Sequence, residues 1–450
     1  MRKRKFFALL ALFAALSLVA AACSSDEGGG ETGTTGGGTT GTTGTTGGAV
    51  DCDADPFGCV EIAAGSPITL GSLNAISGDT AFLGTDVNNG ITIAIDYLDG
   101  TLDGTAGQLL GHDVVLQQED DGCSAEGGQA GATPLAADPN IVAVIGTTCS
   151  SASLGVADTI LGDKGILLVS AANTNPGLTS EEAHQPFYAR TAHNDKIQGA
   201  IVAEYLFNEV GLTTAATIND ESPYADGLAA AFRANWEALG GTITAVEQVN
   251  SGDTDLGPVL TSIAEGDPEV LYGPNFNPVC ALTAVQAQDI MPDVLQVGSD
   301  GCLETGFIES AGDLSNQYVA SYPDTTVFAE GAFYKDEFLP AYEALTGGAP
   351  TAGFHAHAFD AANIVFDAIE AAAIDDGSGN LTISRTALKD ALFATSGYEG
   401  ITGIITCTPL GDCATDVTIG LFEYPFWAVE GGSEPADPVY SDTKSLDEVI

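Results

Sequence analysis

Basic residues are scarce in this chain, which has 12 Lys and Arg against 62 Asp and Glu in 450 residues. Four of the 12 sit together at Arg2, Lys3, Arg4 and Lys5, so the remainder is more one-sided still. A field of that sign repels polyanions, which excludes nucleic acid and anionic lipid surfaces as partners of the folded body and steers small cations inward. Its plain physical reading is a solvated acidic surface that keeps the protein soluble. Catalytic signatures are missing too: the chain has no GxSxG, HExxH, P-loop or CxxC pattern and only five histidines. His355 and His357 form HAH, but they fall in a stretch that reads as a long helix, where residues two apart do not share a face. They are expected as partly exposed helix residues rather than metal ligands. No second long apolar run follows residue 22, so the chain could not signal across a membrane alone.

What is present begins with MRKRK, the apolar run FFALLALFAALSLVAAA and Cys23, which together read as an export signal ending in a lipidation site. The run is too short and too one-sided for a membrane span. Residues 1–22 are expected to be a lipoprotein signal peptide, with an acylated Cys23 holding the protein on the outer face of the cell membrane. Acyl chains contribute roughly 0.8 kcal/mol per buried methylene, so several suffice to hold a soluble domain on a bilayer. Cleavage after an Ala-x-Ala site, followed by simple secretion, is the alternative. Residues 23–65 are expected to be a Gly/Thr-rich tether, because SSDEGGGETGTTGGGTTGTTGTTGG has nothing apolar to bury. A Gly-rich coil of about 25 residues reaches roughly 25 to 30 Å.

Beyond Cys23 eight cysteines fall along the chain as neighbours: Cys52 and Cys59, Cys123 and Cys149, Cys280 and Cys302, Cys407 and Cys413. An even set in an exported chain implies disulfides; eight cysteines allow about 105 connectivities, and spacing alone suggests the sequential one. The absence of CxxC argues against zinc or redox roles. Past residue 66 short β-branched runs alternate with helical patterns. VNNGITIAIDYLD places Val87, Ile91, Ile95 and Leu98 on one helical face. IVAVIG and ILLVSAA read as buried strands, and YADGLAAAFRANWEALGG as a helix closed by glycine. After a second α/β unit come longer helices around FAEGAFYKDEFLPAYEALTGG and FHAHAFDAANIVFDAIEAAA. ITGIITCTPLGDCATDVTIGLFEY then reads as a β-hairpin stapled by Cys407 and Cys413. Two successive units of this kind suggest two lobes and a cleft.

The order and spacing of LGSLNAISGDTAFLG, EDDGCSAEGGQAGATPLAADPNIVAVIGTTCSSAS, LLVSAANTNPGLT, RTAHNDKIQGA, INDESPYADGLA, LYGPNFNP and VGSDG carry a resemblance. From about Ser66 to Val429 the chain resembles the type I periplasmic solute-binding proteins of ABC importers, in particular their branched-chain amino-acid (leucine/isoleucine/valine) branch. The resemblance implies an α/β fold of two doubly wound, Rossmann-like lobes joined by a three-strand hinge. Residues 66–190 plus 327–396 would form the N-terminal lobe, 191–326 plus 397–430 the C-terminal lobe, and 431–450 an acidic tail. It also implies a monomer that hands a small ligand to permease subunits, with no cofactor.

Ligands of open α/β sheets sit beyond the carboxyl ends of strands. Ser150 and Thr174 each follow a strand there and can offer a hydroxyl and an amide to a carboxylate, although Ser150 could be an ordinary helix cap. The resemblance gives Ala172 a carbonyl for the ligand amine, Asp300 the carboxylate that pairs with the ammonium, and Tyr224 a closing contact. Leu83, Thr148 and Phe276 would line the side-chain pocket. The bland readings are a solvent-facing acid for Asp300 and a core aromatic for Tyr224. The chain departs from the branched-chain pattern at Thr148, where a larger apolar residue is expected. It departs also at Asn275 and Phe276, which replace two tyrosines, and at Asp300, which is shorter than the usual glutamate. Amino-acid anchoring is therefore expected, with the side-chain preference open. A ligand-sensing subunit of a membrane receptor and an exported hydrolase are the competing classes.

Overall fold

The structure, a computed structural model, describes residues 51–303, 305–329, 331–423 and 437–450. The expected signal peptide, Cys23 and much of the expected tether lie outside the described residues.

Strands buried on both faces read as unbroken apolar runs, and Ile141–Gly146 is buried at every position. It lies in a sheet with Ile68–Asn74, His112–Asp120, Leu167–Ser170 and Tyr188–Arg190, all parallel, with Gln108–Leu109 as an antiparallel edge. Alternate residues enter different cores, as the pleat requires. Val142, Leu167 and Val169 face the helices Ala81–Asp96 and His355–Ala372, whereas Val144 and Leu168 face Ala125–Ala137. The first two helices touch where Gly90 meets the His355 carbonyl; a Cβ there would lie 2.2 Å from that oxygen. Val87, Ile91 and Ile95 are buried as their spacing foretells, while Leu98 falls in the 3-10 turn Tyr97–Asp99.

The second sheet repeats the plan. Thr214–Asp220, Thr242–Val249, Val270–Tyr272, Leu295–Gly298 and Tyr318–Pro323 are parallel, and Asp416–Glu423 and Tyr440–Ser445 extend the sheet antiparallel beyond Tyr318–Pro323. Helix Pro223–Ala238 starts on the Ser222 hydroxyl, which accepts from the Ala225 amide at 3.2 Å. It stops where Gly240 takes φ 97° and the Gly241 amide returns to the Trp236 carbonyl at 3.0 Å. In both sheets the five parallel strands run second, first, third, fourth, fifth. The order therefore reverses between the first and third strands, the point at which α/β sheets open a crevice. The chain passes between the sheets after Arg190, after Pro323 and before Asp416.

Several expectations need correction. The expected tether ends too late, because Cys59–Ile62 pairs antiparallel with Leu381–Ser384 and buries Val60 and Ile62 in the first core. Asp55 helps to hold this segment by accepting from the Thr386 amide at 2.9 Å. The expected long hairpin divides. Tyr398–Gly400 pairs with Gly403–Ile405 and packs on the first lobe, where Asp360 accepts from the amides of Ile401 and Thr402. Only Asp416–Glu423 joins the second sheet. Part of the expected acidic tail is an edge strand, Tyr440–Ser445, fastened by Lys444 to Glu204 at 2.9 Å. His355 and His357 are buried, not partly exposed. His355 bonds the Tyr334 hydroxyl at 2.7 Å and lies 3.1 Å from Asp86. All four sequential disulfides are present. Among the described residues no cluster suited to a metal ion occurs, and no helix is long and apolar enough to cross a membrane.

Candidate functional site

The two strands at the first sheet's carboxyl edge end in loops that brace each other. The Ser170 hydroxyl donates to the Thr147 carbonyl at 2.8 Å, and the Asn173 amide donates to the carbonyls of Thr147 and Thr148 at 2.9 Å each. Ser153 in turn donates to Asn173 Oδ1 at 2.6 Å. These buried bonds fix the segment carrying Ser150 and Ala172 before any ligand arrives. Thr148 belongs to the same brace, since its hydroxyl accepts from the Ala75 amide at 3.0 Å and its own amide donates to Asp121 at 2.7 Å. Burial, with the neighbouring Asp120 charge, raises the Asp121 pKa to about 6. Cys149, not Ser150, is the helix N-cap, so the Ser150 hydroxyl is free of that role; it accepts from the Asn175 amide at 3.3 Å.

On the second lobe Asp300 follows Leu295–Gly298 and is 5% exposed. Its Oδ1 accepts from the Tyr224 hydroxyl at 2.9 Å and from Gln198 Nε2 at 3.0 Å. Among the described residues no Lys or Arg forms an ion pair with it. Tyr224 also shares a 2.6 Å bond with Ser299, and its ring lies 4.9 Å from that of Phe276. Asn275 is a brace rather than a wall, since its Oδ1 accepts from the Asp220 amide at 2.5 Å. The close approach of these groups requires glycine at 301, where a Cβ would meet the Asn275 carbonyl oxygen at 2.5 Å and the Phe276 ring at 3.0 Å.

Leu83, Thr148, Ser150 and Ala172 from the first lobe and Tyr224, Phe276 and Asp300 from the second line one cavity, together with Cys149 and Phe354. Its atom-free volume is about 260 Å³, but the centre of a water reaches only about 10 Å³ of it. The two lobes therefore meet closely here, leaving room for about one water. Thr174 is the exception among the expected residues. It is buried behind the wall and bonded through its carbonyl to the Asp195 amide at 3.0 Å. Sequence reasoning missed Phe354, Gln198 and Asp195; the last two lie in the quoted segment RTAHNDKIQGA, where their polarity inside a buried helix start was the available signal. Two of the disulfides staple the site, Cys123–Cys149 beside Ser150 and Cys280–Cys302 beside Asp300.

Hydroxyl donors and an aliphatic wall on one lobe, facing a buried carboxylate and aromatics on the other, define a two-lobed binder of small solutes. The sequence profile of the periplasmic binding protein family matches residues 67–415, and the chain belongs to that family. Its relatives include the Leu/Ile/Val-binding protein BraC3 of Rhizobium johnstonii, 28% identical over 73% of this chain and 84% of that one. The crystal structure of the leucine binding protein LivK of Thermotoga maritima covers 85% of this chain and 100% of its own at TM-score 0.71. A solute binding protein of R. palustris in complex with benzoate covers 86% and 99% at TM-score 0.68. At 23% and 17% identity these two likenesses speak for the fold alone.

Proposed function

We propose that this protein is the extracytoplasmic substrate-binding component of an ABC importer, that it captures a small amino acid or related amine or amide, and that it carries out no catalysis. The observation that supports this reading is Asp300, a buried carboxylate that pairs with no Lys or Arg among the described residues, set across one small cavity from the Ser150 hydroxyl. An α-amino acid supplies the complementary pair of charges. The ammonium goes to Asp300, and the carboxylate to Ser150 and the amides of its loop. Phe276, Phe354 and Leu83 offer an apolar wall to the ligand side chain, which the lobes must part a little to admit. Permease subunits then receive the solute when the lobes part, and acylated Cys23 keeps the protein at the membrane. Mass spectrometry of solute released from the natively purified protein, followed by titration calorimetry against free amino acids and small amides, tests the ligand class. Recovery of a solute without an amine, or of a chemically altered one, would overturn it. Membrane fractionation of Cys23→Ser tests the anchor: the variant should be released or remain unprocessed, and unchanged fractionation would refute lipidation.

A further inference from the structure

Behind the cavity lies a second carboxylate that the ligand contacts leave unused. Asp195 opens the helix Asp195–Glu204 just past the first crossing and is fully buried. Its backbone amide is tied to the Thr174 carbonyl of the first lobe; the Thr174 hydroxyl approaches its carboxylate, and no other donor meets it in hydrogen-bond geometry. A buried carboxylate so placed is strongly disfavoured as an anion and tends to neutralise instead.

The groups around it do not supply the missing charge. From the second lobe it is faced by Asp300, which adds like charge, and by the phenols of Tyr224 and Tyr272, which burial keeps protonated. From the strand Tyr188–Arg190 the Arg190 guanidinium pulls in the other direction, but it is committed to Asp412 at 2.7 Å. His193 Nε2 lies 4.0 Å from Asp195 Oδ1, but burial lowers the His193 pKa and disfavours the charged ring. His357, which approaches His193 from the helix His355–Ala372, is lowered to about 3 by burial and is neutral. Lys196, next in the chain, is exposed. Thr174 offers a hydroxyl and no charge. Asp195 is therefore a buried carboxylate within electrostatic reach of Asp300, and the ammonium of an amino acid neutralises Asp300 alone.

We propose that the closed cleft binds a proton together with its ligand, the ammonium resting on Asp300 and the proton on Asp195. When the lobes part, Thr174 draws away and Asp195 regains water and the ordinary carboxylate range near about 4. Closure buries it against Asp300 and raises its pKa well above that range. Because the closed state holds the proton more tightly, binding is strongest below the open-state pKa. It weakens by up to about tenfold per pH unit through the window and levels off above the closed-state pKa.

Titration calorimetry with L-leucine as the probe, between about pH 5 and pH 8 in buffers of different protonation enthalpy, counts the protons taken up per ligand. The wild type should take up close to one proton somewhere in this range. Asp195→Asn should take up none and bind with an affinity flat in pH. Thr174→Val removes the hydroxyl that lowers the Asp195 pKa and should move the uptake to higher pH, which covers the case that Asp195→Asn does not fold. No measurable uptake by the wild type, or uptake that persists in folded Asp195→Asn, overturns the proposal. This arm rests on the amino-acid reading. If neither L-leucine nor any other amino acid binds, that reading fails, and the ligand-free protein decides the proton. Its radius of gyration should fall with pH in the wild type and stay constant in Asp195→Asn; a wild-type radius independent of pH overturns the proposal.

Discussion

Replacing Asp300 by alanine should weaken ligand binding far more than it weakens the fold, and the hydrogen-bond network explains why. Tyr224 keeps its 2.6 Å bond to Ser299 and one Gln198 N–H keeps its 2.9 Å bond to the Ser321 hydroxyl, so both neighbours stay anchored and only the hydrogens that Asp300 itself accepted lose their partner. The loss falls on the ligand ammonium, which would enter a closed cavity without its counter-charge. Removing one member of such a pair costs about 2 to 5 kcal/mol, or roughly 30-fold to several-thousand-fold in affinity. Asp300→Asn preserves the shape and an acceptor for both neighbours but not the charge, so about 1.5 to 3 kcal/mol is expected. Ser150→Ala removes one hydroxyl at the cavity wall and should cost about 1 kcal/mol. Thr174→Ala, behind the wall, should cost less. Calorimetry of the four variants against the best-binding amino acid reads this order directly, with thermal unfolding as the control. Wild-type affinity in a folded Asp300→Ala would refute the ammonium assignment.

Gly301→Ala should lower affinity at least about tenfold, because the new methyl must displace the Asn275 carbonyl, Phe276 or Tyr224; undiminished binding by calorimetry would contradict the tight packing. Replacing Cys280 and Cys302 together by alanine opens a loop of 22 residues and should lower unfolding stability by about 3 kcal/mol in urea titration. It should also weaken binding by loosening the turn that carries Asp300. Burial raises the carboxyls of Asp121 and Asp360 to about 6. Their contribution is therefore fully present below the unfolded value near 4 and is lost as pH rises through 6, up to about 3 kcal/mol each. The melting temperature should be higher at pH 5 than at pH 7.5, and a flat or opposite trend would exclude this cause.

The parts of the site that sequence reasoning could reach follow strand ends. Runs such as IVAVIG and LLVS are recognisable because burial on both faces demands unbroken apolar residues, and Ser150 and Ala172 come directly after them. Asp300 was accessible for the same reason, following LQVGS. Phe354 was not, because it arrives from a late helix more than two hundred residues after Ser150 and nothing local distinguishes it from a core aromatic. Thr174 shows the limit of counting residues after a strand, since the Asn173 network turns the chain so that its carbonyl, not the cavity, meets the next element. The edge strand Tyr440–Ser445 was illegible for a different reason. Its sequence YSDTKS has no apolar alternation, and it pairs by backbone bonds along a sheet edge. Val60 and Ile62 do alternate, but they follow closely on a low-complexity stretch that masked a four-residue strand.

One small amine held between the lobes, by Asp300 on one side and the Ser150 loop on the other, is the central claim. A crystal structure of the protein grown with the amino acid that binds most tightly tests it most directly. The ammonium should lie within hydrogen-bond distance of Asp300 and the carboxylate on Ser150 and neighbouring amides, with Phe276 and Phe354 against the side chain. A ligand bound outside this cleft, or bound in it with its ammonium turned away from Asp300, would contradict the claim.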